Sequence, residues 1–216
     1  MLKLFVSILC FFTFFCVNAQ DSLGYYHGTA SYYNFTGQGN CSYRPPSKPV
    51  LVAAVNSKQY NMASLCGACL EVIGSKDTAI VRVEDRCPGC KFGGIDLSKT
   101  AFATVDDLAK GRAQVKWKVV PCPTSRDIKL YIKKRKGSGA SSFIVVNHKT
   151  PLKSVSVWRD SSWISLDRDR SNYYSIAKRN DDFARFQLVD WYGNEVITDS
   201  LMLVPGTFID LKQQFN

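Results

Sequence analysis

Val81-Arg82-Val83-Glu84-Asp85-Arg86-Cys87-Pro88-Gly89-Cys90, followed across Lys91-Phe92 by Gly93-Gly94-Ile95-Asp96-Leu97-Ser98, is the stretch whose reading decides the fold. Apolar and polar residues alternate from Val81 to Asp85, the period of a strand whose successive side chains face opposite sides. Val81, Val83 and Asp85 share one side, and Arg82 and Glu84 share the other. Asp85 therefore ends the buried side of its strand, partly desolvated or paired with Arg82 or Arg86. In Ile95-Asp96-Leu97 the same alternation turns the two apolar residues to a core and Asp96 to a groove on the opposite side. The two glycines before it leave room for close approach of a ligand backbone or sugar ring. Taken singly, each aspartate reads first as a turn or cap carboxylate accepting backbone N–H groups.

Working outward, Val50 to Val55, Leu70 to Ile73, Ile80 to Asp85 and Val115 to Val120 read as short strands separated by Gly-, Pro-, Asn- and Ser-rich turns. One helix interrupts them. Ser98 is its N-cap, Ala101, Phe102, Val105, Leu108 and Ala109 share a face, and Gly111 stands at the C-terminal cap. Many short strands in so few residues imply a small closed barrel. Beyond Cys122-Pro123-Thr124-Ser125, strands are expected at Asp127 to Ile132, Phe143 to Val146, Val155 to Val157, Ile164 to Leu166, Phe183 to Val189 and Leu201 to Val204. Hairpin turns fall at Arg159-Asp160-Ser161-Ser162 and Tyr192-Gly193-Asn194, the pattern of a β-sandwich. The chain thus reads as mainly β, with a barrel domain over 20–123 and a sandwich over 124–216.

The 216 residues, 45% apolar and 21% charged, exclude a disordered chain, a coiled coil and a polytopic membrane protein. Residues 1–19 read as a secretory signal peptide: Lys3, an apolar run from Leu4 to Val17 too short to span a bilayer, and small residues at Val17-Asn18-Ala19. Removing that leader takes Cys10 and Cys16 with it. Cys41, Cys66, Cys69, Cys87, Cys90 and Cys122 remain, an even number in an exported chain, which points to three disulfides. The Cys66-x-x-Cys69 and Cys87-x-x-Cys90 pairs also have a zinc-ribbon spacing, but export and the flanking cysteines favour crosslinks, so no metal or other cofactor is expected.

The formal charge of +10 is densest from Lys129 to Lys136. In an exported chain such a run is a solvated linker or an attachment to acidic polymers; nucleic acid is not an expected partner, nor is a membrane once the leader is gone. N-glycosylation sequons occur at Asn34-Phe35-Thr36 and Asn40-Cys41-Ser42. Aromatic faces stack on the apolar faces of sugars, so Trp158, Tyr173, Tyr174, Trp191 and Tyr192 form the candidate polysaccharide surface of the sandwich, while Trp163, within an alternating strand, is expected in the core. His27 and His148 read as surface or turn residues.

Several segments together resemble the expansins. Gly28-Thr29-Ala30-Ser31-Tyr32-Tyr33 is similar to their opening strand, and Cys66-Gly67-Ala68-Cys69-Leu70-Glu71-Val72 to their cysteine-containing strand. Asp85-Arg86-Cys87-Pro88-Gly89-Cys90 with Ile95-Asp96-Leu97-Ser98 resembles the core of their double-psi β-barrel, and Trp117 to Cys122 its closing strand. Pro205-Gly206-Thr207-Phe208 and Gln214-Phe215 resemble the end of the expansin carbohydrate-binding sandwich, so the likeness covers nearly the whole mature chain.

The resemblance implies a six-stranded double-psi β-barrel followed by an immunoglobulin-like β-sandwich. It implies a monomeric secreted protein of the cell wall or extracellular matrix that loosens contacts between cellulose and matrix polysaccharides without cutting them. It assigns Asp96 to the groove, with Asp85, Ser31 and the aromatic Tyr32 in support, and pairs Cys41 with Cys66, Cys69 with Cys122 and Cys87 with Cys90. The chain departs from bacterial members at Cys87, where they carry an aromatic, and at Gly139-Ala140-Ser141-Ser142, where they carry adjacent aromatics.

Glycoside cleavage usually needs two carboxyl groups flanking the bond. The opening strand from Gly28 to Phe35 has no Asp or Glu, and Asp85 lies too near Asp96 in sequence to stand across a sugar from it. The rivals are a glycoside hydrolase or a lytic transglycosylase using Asp96 as its acid, and a defence-type lectin or protein-binding module on the same barrel.

Overall fold

A computed structural model describes residues 24–45, 51–133, 141–176 and 183–216. The leader, Val50, Gly139, Ala140 and Lys134 to Lys136 lie outside the described residues. No helix among the described residues is long and apolar enough to cross a membrane.

The first six strands are β1 Tyr26–Tyr33, β2 Val52–Asn56, β3 Cys69–Ile73, β4 Thr78–Cys87, β5 Ile95–Ser98 and β6 Ala113–Val120. They close into a barrel in the order β1-β5-β2-β4-β3-β6, parallel at β1/β5 and β2/β4 and antiparallel elsewhere. Val81, Val83, Ile95, Leu97, Phe102 and Trp117 fill it, each fully buried. The indole N–H of Trp117 is not stranded there: it donates to the Gly93 carbonyl at 2.7 Å.

Two short helices pack on the barrel, α1 Ser57–Tyr60 and α2 Lys99–Val105. The helix expected to run on through Leu108 and Ala109 stops instead at Asp106, whose backbone is extended. Its carboxylate accepts from the Asp107 N–H at 2.7 Å and the Lys110 ammonium at 2.6 Å, a local bonding set that competes with helix continuation. A single 3₁₀ turn, Leu108–Lys110, follows and ends on Gly111 at φ 65°. Ser98 makes no side-chain cap; its hydroxyl accepts the Val52 N–H across the barrel.

The second half contains β7 Lys129–Ile132, β8 Ser141–Val146, β9 Leu152–Arg159, β10 Ser162–Ser165, β11 Tyr174–Ile176, β12 Phe183–Ala184, β13 Phe186–Asp190, β14 Glu195–Ile197, β15 Leu201–Met202 and β16 Phe208–Asp210. One sheet has the order β10-β9-β13-β14, the other β11-β8-β7-β16, and β12 pairs with β15 apart from both. Leu130, Ile132, Phe143, Val155, Phe186 and Leu188 form the shared core of this sandwich. The β9–β10 hairpin turns at Asp160 and Ser161, both at positive φ, the geometry that matches strand twist in tight hairpins. The run from Phe183 to Val189 is two strands rather than one.

Polar bonds join barrel and sandwich. The Arg168 guanidinium donates to the Ala63 carbonyl at 2.7 Å and the Leu152 carbonyl at 2.9 Å. Tyr60 donates to the Arg170 carbonyl at 2.8 Å, and the Asn172 amide to the Cys41 carbonyl at 3.1 Å. His148, expected at the surface, is buried at this junction. The six cysteines are all consumed in the disulfides Cys41–Cys66, Cys69–Cys122 and Cys87–Cys90, so the zinc-like spacing serves crosslinks.

Candidate functional site

β1 and β5 run parallel with Ser31 opposite Asp96, and the Ser31 hydroxyl donates to the Asp96 carboxylate at 2.9 Å. Ile95 and Leu97 point into the core, leaving Asp96 half-buried on the outer side. Burial pushes the Asp96 carboxyl above its ordinary value; the Ser31 bond opposes this and the nearby Asp85 charge reinforces it.

Asp85 and Glu84 exchange the places that simple alternation gives them. The register of β2 on β4 skips a residue between Ala53 and Ala54, a bulge that leaves Glu84 without a partner position. Glu84 is thereby turned inward, 2% exposed, and paired with Arg82. Burial raises its carboxyl while the Arg82 cation holds it down. Asp85 comes out half-exposed; its Oδ1 accepts the Asn40 N–H at 2.7 Å and the Arg86 N–H at 2.8 Å. It is therefore occupied by backbone donors rather than by Arg82.

Tyr32, the aromatic expected in the groove, faces the other way. Its ring packs on Phe102 with centroids 5.0 Å apart, and its hydroxyl reaches the Leu108 carbonyl at 3.4 Å. Period two along β1 is the cause: Ser31 faces the groove, so Tyr32 faces α2 and Tyr33 returns to the groove side. The Tyr33 hydroxyl is buried with no hydrogen-bond partner among the described residues, and burial together with the charges of Asp85, Asp96 and Glu84 raises its pKa. Tyr33 was findable from the alternation already applied to β5.

The glycines before Asp96 also have a different use. A Cβ at Gly28 would collide with the Gly93 carbonyl, and one at Gly93 with the His27 carbonyl. The space is taken by the β1 backbone, not held open for a ligand.

The five aromatics expected on one surface of the sandwich are distributed over several places. Tyr174 is 1% exposed and belongs to the core, stacked on Phe143 at 5.6 Å. Trp158 is exposed on the sheet containing β9, and Trp191 and Tyr192 occupy the turn between β13 and β14 of the same sheet. Trp163 is half-buried on the edge strand β10, edge-on to Trp158 at 5.1 Å, because an edge strand leaves it no second layer to pack into.

Tyr173 lies on the opposite sheet, with residues that the sequence did not single out. Leu130 and Ile132 enter the core, so Tyr131 between them faces outward; Phe208 on β16 is its register partner, with ring centroids 4.9 Å apart. Tyr131 is opposite Ile144, and Tyr174 opposite Phe143, which brings Tyr173 to the same row. Arg44 lies over Tyr131 at 5.3 Å and Lys133 over Tyr173 at 4.3 Å.

One loop connects this row to the groove. Asn40 gives its N–H to Asp85, the Ser42 side chain acts on the Tyr173 hydroxyl, and Arg44 covers Tyr131. Groove and aromatic face are consecutive contacts of a single short segment.

With this geometry in hand, the chain compares with known proteins as follows. It is similar to the expansin of Clavibacter michiganensis, with a TM-score of 0.81 at 27% identity over 89% of this chain and 98% of that one. It is also 27% identical over 201 residues to an expansin of Bacillus subtilis, Expansin-YoaJ, covering 89% of this chain and 86% of that protein. Over most of its length the chain is thus similar to expansins in both sequence and fold. A further expansin relative, expansin-like protein 2 of Dictyostelium discoideum, is 29% identical over 196 residues, 83% of this chain but 47% of that protein, so this chain spans about half its length. An Asp-to-Asn variant of the Clavibacter expansin, solved in complex with cellohexaose, is equally similar in structure. No protein-family model matches the chain.

Proposed function

We propose that this protein is an expansin, a secreted, monomeric protein of the cell wall or extracellular matrix that binds cellulose and matrix polysaccharide and loosens their contacts without hydrolysis. The barrel, residues 20–123, grips a glycan through Asp96, with Ser31, Asp85 and Tyr33 around it. The sandwich, residues 124–216, lies on the polymer through Tyr131, Phe208 and Tyr173. The observation that carries this reading is the shared loop, which makes carboxylate groove and aromatic row one surface. The cellohexaose complex of the Clavibacter relative supports the ligand class.

Two features favour binding over cleavage. Asp96 has a hydroxyl, Ser31, opposite it on β1, and Asp85 is engaged by two backbone N–H groups. Neither gives the pair of free carboxyl groups, about 5 to 9.5 Å apart, that hydrolysis uses. The raised Asp96 carboxyl is the one observation that suits an acid catalyst, so a lytic reading is the rival.

The test joins cellulose pull-down, wall-creep extension and reducing-end release. Tyr131→Ala with Phe208→Ala should lose cellulose retention, and Asp96→Asn should lose creep with no reducing ends released by either form. Reducing ends from swollen cellulose or peptidoglycan that disappear in Asp96→Asn would establish the rival. Undiminished retention by the double variant would remove the sandwich row from the site.

A further inference from the structure

Both sequons fall in the segment that joins β1 to the sandwich row. Asn34 follows Tyr33 directly and is exposed; Asn40 is exposed, and its own main-chain N–H is 2.7 Å from the Asp85 carboxylate. Anything attached to the Asn40 side chain therefore starts within a residue's width of Asp85. Cys41 is buried in its disulfide and donates its N–H to the Glu84 carbonyl at 3.1 Å, and the Ser42 N–H returns to the Gly39 carbonyl at 3.0 Å, so Asn40 sits on an anchored turn rather than a free loop.

We propose that Asn40 is a modification site whose oligosaccharide closes the groove of its own protein; the inference rests on the glycan-binding reading above. Attachment forms a bond from the Asn40 side-chain nitrogen to C1 of the first sugar, breaks the C1–oxygen bond to a polyprenyl diphosphate carrier, and releases that diphosphate together with the amide proton. The first two residues of such an oligosaccharide are N-acetylglucosamines in β-1,4 linkage, the same diequatorial linkage as a cello-oligosaccharide. A groove that takes a β-1,4-glucan can take this pair, and the tether holds it at high effective concentration. The glycosylated protein is then a latent form, opened by trimming. Asn34, exposed just after β1, is not among the hydrogen-bond partners described for Asp85 and serves as the internal control.

The experiment uses the full chain from a eukaryotic secretory host that adds high-mannose glycans, with site occupancy read by glycopeptide mass mapping and cellohexaose affinity by calorimetry. Wild type and Asn34→Gln should carry the Asn40 glycan and bind cellohexaose weakly. Asn40→Gln, which keeps the main-chain N–H to Asp85, and wild type trimmed by endoglycosidase to one sugar should bind about ten-fold more tightly, the factor expected if the groove is closed nine-tenths of the time. A vacant Asn40, or equal affinity in wild type and Asn40→Gln, overturns the inference. Failure of the untethered forms to bind any cellohexaose overturns the glycan-binding reading itself, and the inference with it.

Discussion

Acidification should loosen the barrel–sandwich junction through His148. The ring is 2% exposed, its Nδ1 lies 2.9 Å from the Thr150 carbonyl, and the Thr150 hydroxyl is fixed in turn by Asp190 at 2.6 Å. Burial, reinforced by the positive charges of Arg168 and Arg82, lowers its pKa from 6.5 to about 4. The folded protein therefore holds His148 neutral while the unfolded chain takes up a proton near pH 6.5. Between those values the unfolded state binds more protons, so stability is complete above pH 6.5 and falls with pH at up to ~1.4 kcal/mol per unit until about pH 4. The full loss is about 3 kcal/mol, or roughly 6 to 12 °C of melting temperature for a chain of this size. Glu84 has the opposite sign: its raised carboxyl favours the fold at low pH and loses that contribution as pH rises. Comparing wild type with His148→Gln cancels it. Unfolding followed from pH 7.5 to 4 at constant ionic strength should show a steeper decline in wild type than in the variant. Parallel slopes would refute the reasoning.

Gly28→Ala should cost several kcal/mol or prevent folding, because its Cβ meets the Gly93 carbonyl that also accepts the Trp117 indole; near-wild-type urea unfolding would show that β1 can shift away. Cys87–Cys90 closes a loop with Pro88 and Gly89 exposed, whereas Cys41, Cys66, Cys69 and Cys122 are buried. Graded reduction with alkylation and peptide mass mapping should label Cys87 and Cys90 first, and simultaneous labelling of all six would contradict this.

The barrel was readable because β5 and the first part of β4 keep a period of two: Val81, Val83, Ile95 and Leu97 are all fully buried, as the alternation requires. The same rule mislocated Glu84 and Asp85, since the bulge that makes Glu84 an extra residue of β4 is set by its pairing with β2 and leaves no mark in the alternation of the sequence. The family resemblance points to Tyr32, whereas the parity of β1 points to Tyr33. Tyr131 and Phe208 were hidden for a different reason. An aromatic inside an apolar run such as Lys129–Ile132 looks like core, and only the pairing of β16 with β7 shows which side stays uncovered. His148 carries no local signal of burial, because the cavity it fills is formed by Gly67 and Tyr43 from far earlier in the chain.

The Cys69–Cys122 bridge bears on how the molecule withstands pulling. Cys69 opens β3 and lies opposite Val120, the last residue of β6, so the bridge staples the barrel's final strand to its own neighbour at the point where the chain leaves for the sandwich. If Tyr131 and Phe208 hold a polymer as proposed, traction along the chain would meet that staple before the hydrogen bonds of β6. The barrel would then be guarded against unzipping from its trailing end.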